Sequence, residues 1–349
     1  MSKEELAQEQ LAPGAEVPAG YAAPSPDEAA PGRSKLKVGA LGILVLAALA
    51  YPSVFTLPYQ QHILILIYMN ALMAVGWNIV GGYTGQVSLG NTIFFGMGAY
   101  VSGLMLKNLL ISPWAGMLVG ILLSALLAVV VGYPCFRLKG HYFAIATIAV
   151  AEIVSVIVIN TNQLGAAVGL TLPALPSSLV NMQFASKTPY YYVILSFLAI
   201  SMLTVYWIER SRLGYYFRAI REDQDAARAL GINSTKYKLI AFILSAVFAS
   251  MAGTFYAQYI LFIDPPSTVL LNISITMCLM AVLGGVGTLW GPLIGATVLI
   301  GISEGTRISM GGSGSALDLL IYGFLVMAVA VYQPKGLMGL ISGLRRGAR

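Results

Sequence analysis

The residues best suited to handle a small polar solute lie in "GGYTGQVSLGNTIFFGMGAY", residues 81–100, where Thr84, Gln86, Ser88, Asn91 and Thr92 are set among glycines between two almost purely apolar runs. Neutral hydroxyls and amides, with backbone groups freed at a glycine-rich break, can solvate a zwitterion without trapping it by charge. Leaving its polar groups unsolvated in an apolar setting costs on the order of 2–7 kcal/mol. A second bend, "LGGVGTLWGPLIGA" from Leu283, carries Gly285, Gly287 and Pro292 and is expected to face the first across an aqueous route. Non-helical backbone at membrane depth is tolerated only where protein or a water-filled cavity covers it. The competing reading is structural: glycines let helices approach, and small polar side chains hydrogen-bond across the contact. The two bends echo each other weakly, but in parallel sense, so they do not establish an inverted repeat.

Other chemistry is scarce. His62 and His141 stand alone at opposite span ends, without ligand spacing to carboxylates or cysteines, which argues against a metal site and against a Ser-His-Asp set. Cys135 and Cys278 lie far apart in apolar stretches and offer no disulfide framework. A Walker A signature is absent, so the chain cannot hydrolyse ATP alone. Glu152, mid-span in "AIATIAVAEIV", is the best candidate for a buried intramembrane acid, whereas Glu304 and Asp318 fall near span ends.

These residues must be positioned by membrane helices. The 349 residues are 58% hydrophobic and 10% charged, with a mean hydropathy of +0.79. That composition predicts an all-α polytopic membrane protein. Spans of about 20 apolar residues are expected near 36–56, 59–80, 86–106, 113–135, 141–160, 189–208, 239–262, 267–284, 288–304 and 316–333, about ten transmembrane helices in all. The third and ninth are rich in glycine and open to being broken. With both termini cytoplasmic, 17 of the 20 Lys and Arg residues fall inside, leaving Lys107, Lys187 and Arg307 outside. This topology accounts for the net charge of +6 without nucleic acid. Residues 1–34 read as a disordered cytoplasmic tail, 35–335 as the membrane domain and 336–349 as a basic cytoplasmic tail.

The internal loop "ERSRLGYYFRAIREDQDAARALGINSTKYK", residues 209–238, carries the most specific signal. Arg218, Arg221, Glu222, Asp223, Asp225 and Arg228 interleave with Ala219, Ile220, Ala226, Ala227 and Leu230. The pattern predicts one amphipathic helix from Ala219 to Leu230, ended by Gly231, with Asn233 or Ser234 capping the next span. Small residues on such a face favour docking into a protein groove over a merely solvated connector.

Here "DAARALG", Asp225 to Gly231, resembles the EAA-x-x-x-G coupling motif of ABC importer permeases, with Asp in place of Glu and without the Ile-x-Leu-Pro continuation. Together with "GYTGQVSLGNTIFFGMGAYVSG", "RLKGHYFAIATIAVAEIV", "RAIREDQDAARALGIN" and "MAVLGGVGTLWGPLIGA", it makes the chain similar to M-type permease subunits of LIV-type branched-chain amino-acid importers. The likeness covers about 60–335. The external stretch "LGAAVGLTLP" departs from the family's Thr-Gly-Gly-x-x-Gly-Leu, which leaves the cargo open. The resemblance implies a second related permease, two cytoplasmic ATPase subunits holding ATP and Mg, an external substrate-binding protein and the bacterial cytoplasmic membrane. It implies no catalysis or cofactor in this chain. Arg218, Arg221, Glu222, Asp225, Ala226, Ala227 and Gly231 would couple to the ATPases; Thr84, Gln86, Ser88, Asn91, Thr92, Gly285 and Gly287 would border the route. Alternatives are a urea or short-amide permease of a sister branch and, in another class, an ion-coupled secondary transporter or channel.

Overall fold

The computed structural model describes residues 48–53, 57–138, 140–309, 323–324, 327 and 336–339. Residues 48–53 are helical and belong to a separate unit from the chain after Val54. The expected tenth span and both tails lie almost wholly outside the described residues, as does most of the first span.

Within the main unit the principal helices are α1 (Pro58–Asn78), α2 (Thr92–Leu109), α3 (Pro113–Cys135), α4 (His141–Asn160), α5 (Lys187–Arg210), α6 (Arg212–Glu222), α7 (Gln224–Ala229), α8 (Ser234–Ile260), α9 (Pro265–Thr268), α10 (Leu271–Gly284) and α11 (Gly291–Ser309). Six segments are long and apolar enough to cross a membrane: Pro58–Tyr83, Pro113–Cys135, His141–Asn160, Lys187–Arg210, Ser234–Ile260 and Pro265–Gly284. The chain is thus a multi-pass, all-α membrane protein. Starts and stops follow local chemistry: Pro58 and Pro113 open their helices, where a missing N–H costs nothing. The Asn233 side chain caps α8 by accepting from Lys236 N.

α2, α3 and α8 pack at backbone distance because glycines face the contacts. A methyl group on Gly98 would sit 2.0 Å from the Ser250 carbonyl oxygen, and one on Gly253 would sit 1.9 Å from that of Phe95. α10 and α11 meet in the same way through Gly284 and Gly295. Small residues are the means by which apolar helices gain van der Waals contact in lipid.

The third span is broken where its glycines left that open, and the eighth is interrupted where no break was expected. The third is helical only from Thr92, after a non-helical stretch. The eighth is interrupted at Val269–Leu270, between α9 and α10, whereas the ninth, though rich in glycine, is continuous from Gly291 to Ser309. On the side where α5 begins and α8 ends, a two-residue ladder pairs β1 (Leu170–Thr171) with β2 (Phe262–Ile263), antiparallel. Leu170, Leu172 and Ile263 there pack with Tyr100, Val158 and Ala257. This side is external in the orientation given by the basic residues.

Candidate functional site

α1 does not simply end. Over Ile79–Tyr83 it widens into a π-helix, a form that takes up one extra residue per turn and concentrates at functional sites. Gly81 and Gly82 make the departure cheap, since neither carries a side chain that would favour the regular helix. Gly85 then turns the chain at φ +70°, and residues 84–91 run back into the protein without helical structure. Asn91 Nδ2 donates to Ser245 Oγ at 2.7 Å. Ser245 lies eleven residues into α8, about 16 Å at 1.5 Å per residue, so the break is at membrane depth and is covered by protein.

The expected route residues are arranged along this break. Thr84 Oγ1 donates to the Val80 carbonyl (2.7 Å), and Ser88 Oγ donates to Asn91 Oδ1 (2.9 Å). The Ser88 carbonyl accepts from Trp77 Nε1 (2.6 Å). Thr92 N donates to Ser274 Oγ (2.8 Å) and Thr92 Oγ1 to the Thr268 carbonyl (3.2 Å). Thr84, Ser88, Asn91 and Thr92 are fully buried, whereas Gln86 is half-buried, its N–H on the Val80 carbonyl (3.1 Å). In this conformation the segment ties together α1, α8, α9 and α10.

Gly285 and Gly287 lie in the turn between α10 and α11, at φ +131° and +71°. The two glycine segments touch directly. Asn78 clasps the turn from α1, accepting from Gly287 N at 2.8 Å and donating to the Thr288 carbonyl at 3.0 Å. A methyl group on Gly82 would fall 2.0 Å from Asn78 Oδ1 and 2.6 Å from Gly287 N.

The loop reaches this contact. Arg221 Nη1 donates to the Gly82 carbonyl at 2.9 Å, and its side chain lies so close to Gly287 that a methyl group there would be 2.3 Å from Nη1. Beside it, Tyr83 Oη donates to Glu209 Oε1 at 2.6 Å. The end of α1, the end of α5, the loop and the α10–α11 turn therefore meet on one side of the protein.

The single helix expected from Ala219 to Leu230 is instead two. Asp223 is extended, and its carboxylate accepts from Asp225 N (2.8 Å) and Ala226 N (3.0 Å), capping α7. Helical periodicity continues through Asp223, but an aspartate at a cap offers the backbone a better alternative than one inside a helix. The Ala226 and Asp225 amides hold the exposed carboxyl below its usual range. Gly231 follows at φ +83°, the expected left-handed stop. Arg228 Nε donates to Ser234 Oγ (2.8 Å) and Lys238 Nζ to Gln224 Oε1 (2.5 Å), fixing α7 on the start of α8. Of the expected coupling residues, Arg218, Arg221, Glu222, Asp225, Ala226 and Gly231 are exposed, Arg221 with its guanidinium on the Gly82 carbonyl, and Ala227 is buried against its own chain.

Asn78, Tyr83 and Glu209 were not anticipated; an asparagine in an apolar run, three residues ahead of a glycine pair, is the sequence signal for the first. Glu152 is exposed on α4, not buried as expected. Glu304 lies 3.6 Å from Arg307, and Asp318 is outside the described residues. Among the described residues no three His, Cys, Asp or Glu groups gather as a metal site. An apolar recess of about 540 Å³ lined by Leu179, Pro189 and Tyr192 lies at the start of α5, the opposite end from Glu209.

The family model for the permease component of branched-chain amino acid transport systems matches residues 60–330. The chain is 28% identical over 291 residues to the high-affinity branched-chain amino acid transport system permease protein LivM of Salmonella typhimurium, covering 76% of this chain and 67% of the relative. It is 27% identical over 328 residues to LivM of Escherichia coli K12 (87% and 75%), and 28% identical over 286 residues to LivH of Salmonella typhimurium (77% and 91%). No solved structure matches. The matched region holds both glycine segments, the break and the loop that joins them, and by that match the chain belongs to the family of branched-chain amino acid transport permease components, which are transport subunits and not enzymes.

Proposed function

We propose that this chain is one of two different permease subunits of an ABC importer in a bacterial cytoplasmic membrane, carrying leucine, isoleucine, valine or a similar amino acid. The observation that carries the reading is the Arg221–Gly82 hydrogen bond, which joins an exposed amphipathic loop to a covered helix break. The names of the LivM and LivH relatives supply the cargo class. The partners are a second permease, two cytoplasmic ATPase subunits that hold ATP and Mg, and an external binding protein. This chain itself carries no cofactor. Glu152, exposed near the middle of α4, supports a second membrane subunit, because a carboxylate facing lipid at that depth costs about 2.5–3.5 kcal/mol even on the lenient scale.

In this reading the exposed residues Arg218, Glu222, Asp225, Ala226 and Gly231 meet the ATPase, while Arg221 passes the movement to Gly82 and the turn at Gly285 and Gly287. The route runs beside Thr84, Gln86, Ser88, Asn91 and Thr92, whose exchange of internal partners for solute partners opens it. Such a switch needs two states with different contacts, biased by nucleotide.

Uptake of radiolabelled leucine into proteoliposomes, with and without the ATPase subunits, tests the proposal. Uptake is expected only with both ATPases and ATP. Uptake driven by an ion gradient in their absence would establish a secondary transporter instead, and ATP-driven uptake of urea but not leucine would place the chain in the sister branch.

A further inference from the structure

The loop is fastened at two places. α6 reaches Gly82 through Arg221, whereas α7 rests on α8. α7 has six residues and buries one side chain, Ala227. A helix so short is not stable by itself, so its polar side chains and its cap must hold it in place. Besides the Asp223 cap, two rungs join it to α8: Lys238 Nζ donates to Gln224 Oε1 at 2.5 Å, and Arg228 Nε donates to Ser234 Oγ at 2.8 Å. Gln224 Nε2 closes the square with a longer bond to Ser234 Oγ at 3.4 Å. Gln224 and Arg228 stand four residues apart on α7, as Ser234 and Lys238 do on α8, so each pair shares one helix face. Two attachment points fix both the position and the rotation of α7; one alone would leave a pivot.

Lys238 is the unusual member of the square. It is 1% exposed, in a row of buried α8 residues with Ser234, Ala241 and Ser245. Burying a cation is costly, and packed apolar side chains often serve stability as well or better, so filling space does not account for a lysine there. Directing an amide does: with Oε1 held by Lys238, Gln224 turns its Nε2 toward Ser234. Ser245 lies seven residues on from Lys238, about 10 Å along the same face. Its Oγ accepts from Asn91 Nδ2 in the break at 2.7 Å. One stretch of helix therefore carries the α7 attachment at one end and a contact to the break at the other.

We infer that Lys238 is a positioning residue: it holds α7 in one setting on α8 and gives the loop a second line to the break, through Ser245 and Asn91, parallel to the line through Arg221 and Gly82. Asp225 and Ala226 of α7, and Leu230 just after it, remain exposed for a partner. The transmission of movement rests on the proposed coupling to ATPase subunits; the fixing of α7 by Lys238 does not.

The test uses the assembled complex in proteoliposomes and reads leucine uptake per ATP hydrolysed, with hydrogen exchange in 224–229 as the structural measurement. Lys238→Met keeps much of the length of the side chain and removes the amine. It should lower uptake per ATP about fivefold or more and protection in 224–229 about tenfold, with the unfolding temperature of the complex unchanged. Gln224→Leu, at a half-buried position, should do the same from the other end of the bond and provides the measurement if Lys238→Met does not assemble. Gln224→Glu, which still accepts from Lys238, should keep wild-type coupling. Because the two residues act as one unit, Lys238→Met combined with Gln224→Leu should lose no more than either alone, whereas Lys238→Met combined with Arg221→Ala should lose the product of the two. Wild-type uptake per ATP in both single variants, lost protection with normal coupling, or a combination with Arg221→Ala no worse than Arg221→Ala itself would each overturn the second line. Wild-type uptake that ignores the ATPases would overturn the proposed function instead, while the exchange data still decided whether Lys238 fixes α7.

Discussion

Arg221 Nη1 and the Gly82 carbonyl are joined by a 2.9 Å hydrogen bond across 139 residues of sequence. One partner belongs to the exposed loop between α5 and α8 and the other to the widened end of an apolar helix. A displacement of α6 therefore cannot leave the end of α1 untouched without breaking a charge-assisted bond, which is worth about 1.5–3 kcal/mol.

Arg221→Ala should for this reason separate the two halves of the cycle. Leucine uptake by the reconstituted complex is expected to fall at least tenfold, while ATP hydrolysis stays within about twofold. Arg221→Lys, which keeps the charge but not the planar fork, should fall between. Wild-type uptake in the alanine variant would remove Arg221 from the transmission.

The glycine contact should be intolerant of a single methyl group. Gly82→Ala places a Cβ against Asn78 Oδ1 and Gly287 N, and overpacking of this kind costs about 1–3 kcal/mol. A lowered unfolding temperature of the purified complex is expected. Gly301→Ala is the control, because no described residue lies within 4 Å of the added carbon there; it should leave the unfolding temperature unchanged.

Ser88 distinguishes a bordering residue from a tie. Its Oγ donates to Asn91 Oδ1 at 2.9 Å and accepts a longer bond from Gly90 N at 3.4 Å, so Ser88→Ala should lower stability by about 1–2 kcal/mol. If the break borders the route, uptake should fall more than tenfold in a complex that still assembles, and Ser88→Leu should abolish it. Stability loss with normal uptake per assembled complex would leave the segment a structural tie only.

The Asp223 cap gives the loop a pH dependence of defined sign. Its folded carboxyl is held below the usual range by the Ala226 and Asp225 amides. The cap therefore supports α7 above the unfolded carboxyl value, about 3.9, and is lost as pH falls through the lower folded value. Hydrogen exchange in 224–229 should be flat between pH 7 and 5, after correction for intrinsic rates, and lose protection below about pH 4. Asp223→Asn, still a capping side chain, should remove that acid-side loss while keeping protection near neutrality.

Much of this arrangement is legible in the sequence because it is written in local chemistry. Apolar runs opened by Pro58 and Pro113, the stop at Gly231 and the cap at Asn233 each follow from their own neighbourhood. The break after Val80 is announced by its glycines. The interruption at Val269–Leu270 is not, since hydropathy sums the side chains and does not register which backbone bonds are made. Asn78 and Gly287 are 209 residues apart, and no local pattern connects them. Glu152 misled for a related reason: a position in the middle of an apolar run fixes its depth but not the direction in which it faces.

The π-helical turn at Ile79–Tyr83 also sets a counting problem for any change in length. Each residue of a regular helix advances the direction of its side chain by about 100°, and the turn accommodates one residue more than a regular helix would. Deleting Val80 could restore the regular helix without a gap in its own hydrogen bonds. Tyr83 and Gly82 would then be carried around the axis, away from Glu209 and Arg221. The end of α1 is in this sense keyed by number as well as by residue type: a substitution alters one tooth of the key, whereas a one-residue deletion turns it in the lock.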